Sequence, residues 1–220
     1  MMVKKNIQNI LSELPENVQL VAVSKTKPIE MIQEAYDAGQ RVFGENRAQE
    51  LAEKAESLPE DIQWHMIGHL QRNKVKYIAP HVNMIHSIDS PRLLKEVNKQ
   101  AKKCDRTIDV LLQFHIAREE SKFGFALEEV IDLLEDENFP KMENINVRGV
   151  MGMATFTENE EKVSEEFQAL NNYFLVLQSR FFKFNDQFNI ISMGMTNDYK
   201  IAIEEGSNMV RIGSAIFGAR

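Results

Sequence analysis

Two lysines follow a strand-like run in the segment AVSKTKP, residues 22–28. The apolar stretch from Val18 to Val23 stops at Ser24, Lys25 and Lys27 come next, and Pro28 opens a helical pattern. A lysine held where a buried strand ends can serve as a covalent anchor for an aldehyde, because its amine forms a carbon–nitrogen double bond with loss of water. Alternate residues of a strand share a face, so Val21, Val23 and Lys25 point together. Lys27 stands next to a helix start, where a cation gains nothing from the dipole, and it is expected to be solvated. Far along the chain, SMGMT at 192–196 and RIGS at 211–214 combine glycines, hydroxyls and an arginine. Glycine lets backbone approach a ligand closely. A helix capped by Thr196 would offer its free N–H groups to an anion.

What must position these residues is an alternation of strand and helix signals. Strand-like runs lie at about 18–24, 41–43, 62–67, 82–86, 107–114, 146–151, 189–193 and 208–212. Helical patterns lie between them at about 28–38, 46–57, 70–79, 91–103, 126–136, 158–184 and 197–205, with one more at about 3–14. Pro28 and Pro91 suit a first helical turn. Gly39 and Gly206 suit left-handed C-caps, and Ser90 and Thr157 suit N-caps. Eight strands in strict alternation imply parallel pairing with crossover helices. In 220 residues this predicts an α/β fold, a single (β/α)8 barrel over 1–220 with an extra N-terminal helix. An open doubly wound sheet is the alternative, weakened because no GxGxxG follows the first strand.

In such a barrel, chemistry sits where strands end. Lys25 ends the first strand, Glu45-Asn46 follows the second, Ile67-Gly68-His69 the third and His86-Ser87 the fourth. SMGMT and RIGS follow strands seven and eight, where this fold usually holds phosphate. A lysine and a phosphate cradle on one barrel mouth predict a phosphorylated aldehyde, and pyridoxal 5′-phosphate (PLP) fits. Arg211 would then face the pyridine nitrogen as a permanent donor. A PLP enzyme acting on an amino acid, or a cofactor-free aldolase using Lys25 on a sugar phosphate, would use the same residues.

Composition narrows the partners. The net charge of −7 argues against a nucleic-acid binder. The single Cys104 permits no intrachain disulfide and fits a reducing cytosol. The N-terminal segment reads as an amphipathic helix, neither signal peptide nor membrane span. The five histidines lack HExxH spacing, so hydrogen-bonding roles are expected ahead of metal ligation.

Seven segments carry a resemblance in order along the chain: AVSKTKP, FGEN at 43–46, WHMIGHLQRNK at 64–74, ESKFGF at 120–125, RGVMGM at 148–153, SMGMTND at 192–198 and VRIGSAIFGAR at 210–220. Together they resemble the pyridoxal phosphate homeostasis protein family, whose single barrel is similar to the N-terminal domain of alanine racemase. The resemblance implies that Lys25 binds PLP covalently as an imine and that Ser192, Gly194, Thr196, Gly213 and Ser214 surround the phosphate. It implies that Arg211 faces the ring nitrogen, and that Asn46, Ile67 and Gly68 line the pocket. His115 stands where that family commonly has asparagine, and Asn208 where it has threonine or serine. A racemase of this barrel type needs a second base, a tyrosine from another domain. The chain ends soon after the eighth strand, and none of Tyr36, Tyr77, Tyr173 and Tyr199 falls at a strand end. The expectation is therefore a cytoplasmic, monomeric PLP-binding regulatory protein with little or no racemase activity, with PLP-dependent apoenzymes as recipients.

Overall fold

The computed structural model describes residues 2–117 and 123–218. Part of the ESKFGF motif and the last two residues of the chain lie outside this set. Strands β1 (Gln19–Val23), β2 (Val42–Glu45), β3 (Gln63–Met66), β4 (Val82–Ile88), β5 (Ile108–Gln113), β6 (Ile145–Met151), β7 (Ile190–Met195) and β8 (Met209–Ile212) form a closed barrel in sequence order. Every pairing is parallel, and β1 closes the ring on β8 with Val21 opposite Arg211. The barrel prediction holds, and the open-sheet alternative falls.

Helices α1 (Met2–Glu13), α2 (Ile29–Asp37), α3 (Ala48–Ser57), α4 (Val75–Ile78), α5 (Pro91–Lys103), α6 (Leu127–Glu135), α7 (Glu160–Phe181), α8 (Tyr199–Glu204) and α9 (Ser214–Phe217) accompany the strands. Their chemistry follows the sequence closely. Pro91 opens α5 and Ser90 Oγ accepts from the Leu93 N–H, while Leu93, Leu94, Val97 and Ala101 face the barrel. Gly39 and Gly206 follow their helices with φ of +101° and +99°. The third expected helix is shorter than its pattern, a 3-10 turn at Arg72–Lys74 running into α4. Asn159, not Thr157, caps α7 by accepting from the Lys162 N–H, and the Thr157 hydroxyl accepts from Asn159 instead. The phenylalanine-rich stretch packs as expected, with Phe188 stacked against both Phe174 and Phe182.

Strand alternation builds two cores. Outward residues such as Leu20, Ala22, Phe43, Val210 and Ile212 meet the helices. Inward residues Val21, Val42, Met84, Leu111, Met151 and Met209 fill the barrel. His65, His86, Gln113, Ser192 and Arg211 are buried polar groups on these same strands. A polar barrel interior is a functional layer by default, since burying such groups costs free energy unless each finds a partner.

Candidate functional site

A cavity of about 340 Å³ is lined by Lys25, Asn46, Ile67, Thr196, Arg211, Gly213 and Ser214. These seven come from, or just beyond, the C-terminal ends of β1, β2, β3, β7 and β8, so the fold joins residues up to 189 positions apart in the chain. The cavity is large enough for a small cofactor. Alternation accounts for Lys25: Val21 lies in the barrel core, and Val23 and Lys25 both line the cavity. On the opposite arc, the Ser214 hydroxyl meets the Thr196 hydroxyl at 3.2 Å, which joins the loops after β7 and β8. The Asn46 Oδ1 is buried without a hydrogen-bond partner, an acceptor ready for a ligand donor.

Three expected residues lie behind this lining. Gly68 is where the loop after β3 meets the loop after β2: a Cβ there would come within 2.5 Å of the Asn46 carbonyl oxygen, so the missing side chain lets the two loops close together. Gly194 has φ +94° and turns the chain against Ala202 and Tyr199. Ser192 points into the barrel and is fully buried. Thr196 does not cap α8. Asp198 precedes that helix, and its Oδ1 accepts from the Met195 N–H at 2.5 Å. His86 and Ser87 belong to β4 itself, which runs on to Ile88. His115 is exposed, and Asn208 bridges strands by accepting from Ile191 and donating to the Asn189 carbonyl.

Lys27 departs from expectation. It lines the cavity, and its Nζ donates to the carbonyls of Phe217 at 3.2 Å and Gly218 at 3.0 Å. A left-handed Thr26, φ +63°, breaks the strand alternation and turns both lysines toward one space. Met153, Met195 and Gly218 also line the cavity. The two methionines stand at strand ends but carry no chemical signature, and no local signal places Gly218 there.

Sequence reasoning also missed a buried relay. Arg211 donates through Nη1 to Ser192 Oγ at 2.7 Å and through Nη2 to the Gly152 carbonyl at 3.1 Å. Ser192 Oγ lies 3.0 Å from His86 Nδ1, and His86 Nε2 lies 2.9 Å from His65 Nδ1. Arginine only donates, so Ser192 Oγ accepts from Arg211, and the tautomers of His86 and His65 set which atom donates at the other two contacts. Burial holds both imidazoles neutral: His65 is pushed down to about 3, and His86 well below its ordinary value. Arg211 is lowered by burial to about 10 and stays protonated at neutral pH.

This relay has a pH signature. Below about 6.5 the unfolded chain protonates these histidines while the folded chain does not, so stability falls as pH drops from there toward 3. The expected slope is up to about 1.4 kcal/mol per pH unit for each histidine. Urea midpoints at pH 7.5 and 5.5 should show the loss, and His65→Asn should shrink it. An equal loss in that variant would assign the pH dependence elsewhere.

Comparisons with known proteins identify the family and the fold. The family model described as "Alanine racemase, N-terminal domain" matches residues 2–220. A protein of Vibrio alginolyticus named pyridoxal phosphate homeostasis protein is 40% identical, covering 99% of this chain and 97% of its own. The human protein of that name is 38% identical, covering 99% and 84%. PipY of Synechococcus elongatus superposes without PLP at a TM-score of 0.91 with 32% identity, covering 98% of this chain and all of that one. Its PLP-bound structure superposes at 0.86 with 31% identity and the same coverage. Alanine racemase of E. faecalis, 16% identical at a TM-score of 0.73, shares the fold, and this chain spans 58% of it. Matched along its length in sequence and in barrel architecture, this chain belongs to the pyridoxal phosphate homeostasis protein family, built on the alanine racemase N-terminal domain.

Proposed function

We propose that this protein holds PLP covalently through Lys25 and takes part in intracellular PLP homeostasis, with little or no racemase activity. The observation that carries this reading is one cavity shared by Lys25, Arg211 and the Thr196–Ser214 arc. The residues fit the group: an amine for the aldehyde, the Thr196 and Ser214 hydroxyls for the phosphate, and a cation for the ring nitrogen. PipY, with 31% identity, has a structure with PLP bound, and the curated relatives bear the homeostasis name. Bound PLP supplies an aldehyde for reversible amine capture and a ring that draws electrons from an attached carbon. Lys25 would hold the aldehyde end through its amine, Thr196, Gly213 and Ser214 would hold the phosphate end, and Ser192 and Gly194 would support them from behind. Arg211, protonated at neutral pH, would donate to the ring nitrogen, which would weaken the electron withdrawal of the ring.

Racemisation also needs a second base within hydrogen-bond reach of the substrate carbon's other face. The four tyrosines are engaged elsewhere. Tyr36 donates to Asp61, Tyr199 donates to Glu13, Tyr173 packs on Phe114, and Tyr77 lies beside Lys74 and Lys76. No helix among the described residues is long and apolar enough to cross a membrane. We further propose that it acts as a cytoplasmic monomer that passes PLP to apoenzymes. Titration with PLP should produce a visible absorption band, with no amino-acid turnover. Absence of the band would sink the reading and favour the aldolase alternative. Sustained turnover with α-proton exchange would make the protein an enzyme.

A further inference from the structure

Behind the cavity, a buried ion cluster grips the backbone on both sides of Lys25. Lys54 of α3 is 6% exposed. Its Nζ donates to the Ser24 carbonyl at 2.8 Å, to Glu45 Oε1 at 2.8 Å and to Glu50 Oε1 at 2.7 Å. Glu45 Oε1 also accepts from the Ser24 hydroxyl at 2.6 Å. Glu50 Oε1 also accepts from the Thr26 N–H at 2.6 Å. Ser24 and Thr26, the neighbours of Lys25, are therefore tied to one ammonium, Ser24 directly and Thr26 through Glu50.

Two further observations indicate what this arrangement does. Thr26 is held at φ +63°, a backbone conformation that a β-branched residue adopts only when its surroundings enforce it. Glu45 is fully buried, and its second oxygen has no partner, so the cluster is not the most stable filling of this space. Two lysines, two residues apart, line the same cavity, with the Lys27 ammonium held by the Phe217 and Gly218 carbonyls and the backbone that carries Lys25 tied through Ser24 and Thr26.

We propose that Lys54 and Glu50 are positioning residues for Lys25. They fix the turn from β1 to α2 in the conformation that presents Lys25, rather than Lys27, to an aldehyde carbon in the cavity. The proposal rests on the reading of Lys25 as the covalent residue. In the covalent step the amine nitrogen bonds to the aldehyde carbon and the carbonyl oxygen leaves as water. Borohydride then delivers hydride to that carbon, and solvent delivers a proton to the nitrogen, which fixes the label.

The experiment is PLP labelling followed by borohydride and peptide mapping. Lys54→Met leaves Glu45 buried without its cation and risks loss of the fold, so Glu50→Ala carries the test. Glu50 is partly exposed, and its removal strands no buried charge. Glu50→Ala is expected to label Lys25 about fivefold more slowly or worse, with a rising share of label on Lys27. Glu50→Gln keeps an oxygen for the Thr26 N–H and should stay close to wild type, with urea midpoints alike in the two variants. Wild-type rate and site preference in Glu50→Ala would overturn the positioning role while leaving Lys25 as anchor. If the wild-type protein itself labels elsewhere than Lys25, the underlying reading fails as well.

Discussion

Lys25→Ala is expected to lose the visible PLP band and the borohydride-stable label, and to bind PLP at least about 100-fold more weakly, roughly 2.7 kcal/mol. The proposed covalent bond is the one contact that no other residue would supply from the same position. The hydroxyl arc of Thr196 and Ser214, the buried Asn46 oxygen and Arg211 all remain, so weak non-covalent binding should persist. Lys27 lines the same cavity, but its ammonium is held by the Phe217 and Gly218 carbonyls. Capturing the aldehyde would require Lys27 to leave both. Lys25 is only partly buried and lies beyond the strand, so the urea midpoint should hardly move. Equilibrium dialysis with peptide mapping decides the matter. A full label on Lys27 in Lys25→Ala would show that the two lysines are interchangeable.

Arg211→Met should have the second largest effect, on stability and on PLP together. Arg211 is 4% exposed, and its two nitrogens satisfy Ser192 Oγ and the Gly152 carbonyl. Methionine fills similar volume but leaves both acceptors without their donor. Each such loss costs about 1–3 kcal/mol, partly offset by removing a desolvated charge. A net loss of about 2 kcal/mol is expected by urea unfolding. PLP affinity should fall about tenfold or more, because in the proposed binding mode the ring nitrogen loses its charged donor. Arg211→Lys should not restore binding, since one ammonium cannot reproduce two planar donors that reach separate partners. Rescue by lysine would mean that Arg211 acts only as a charge.

Much of the fold was legible because its signals are local. Apolar alternation and helical periodicity mark the eight strands and most of the helices, and Ser90, Pro91, Gly39 and Gly206 punctuate them through their own backbone preferences. Seven of the ten expected site residues line one cavity for the same reason: a parallel barrel brings all its strand ends to one mouth. The errors are equally local. Thr157 and Thr196 have the right side chain for a cap but lie too early in the chain, because Asn159 and Asp198 are the residues that directly precede the helices.

By itself the sequence determined the eight strands, their alternation with helices and the facing of Lys25, since each depends on residues a few positions apart. Only the tertiary structure decided what the hydroxyl of Ser192 meets. Its partners, His86 and Arg211, come from β4 and β8, 106 and 19 residues away. Only the tertiary structure turned Lys27 to the last described carbonyls and placed Lys54 beneath Ser24, 30 residues away. Periodicity reports which face a side chain occupies. It carries no information about which polar group stands opposite, and in a buried interior that pairing decides charge, tautomer and reach.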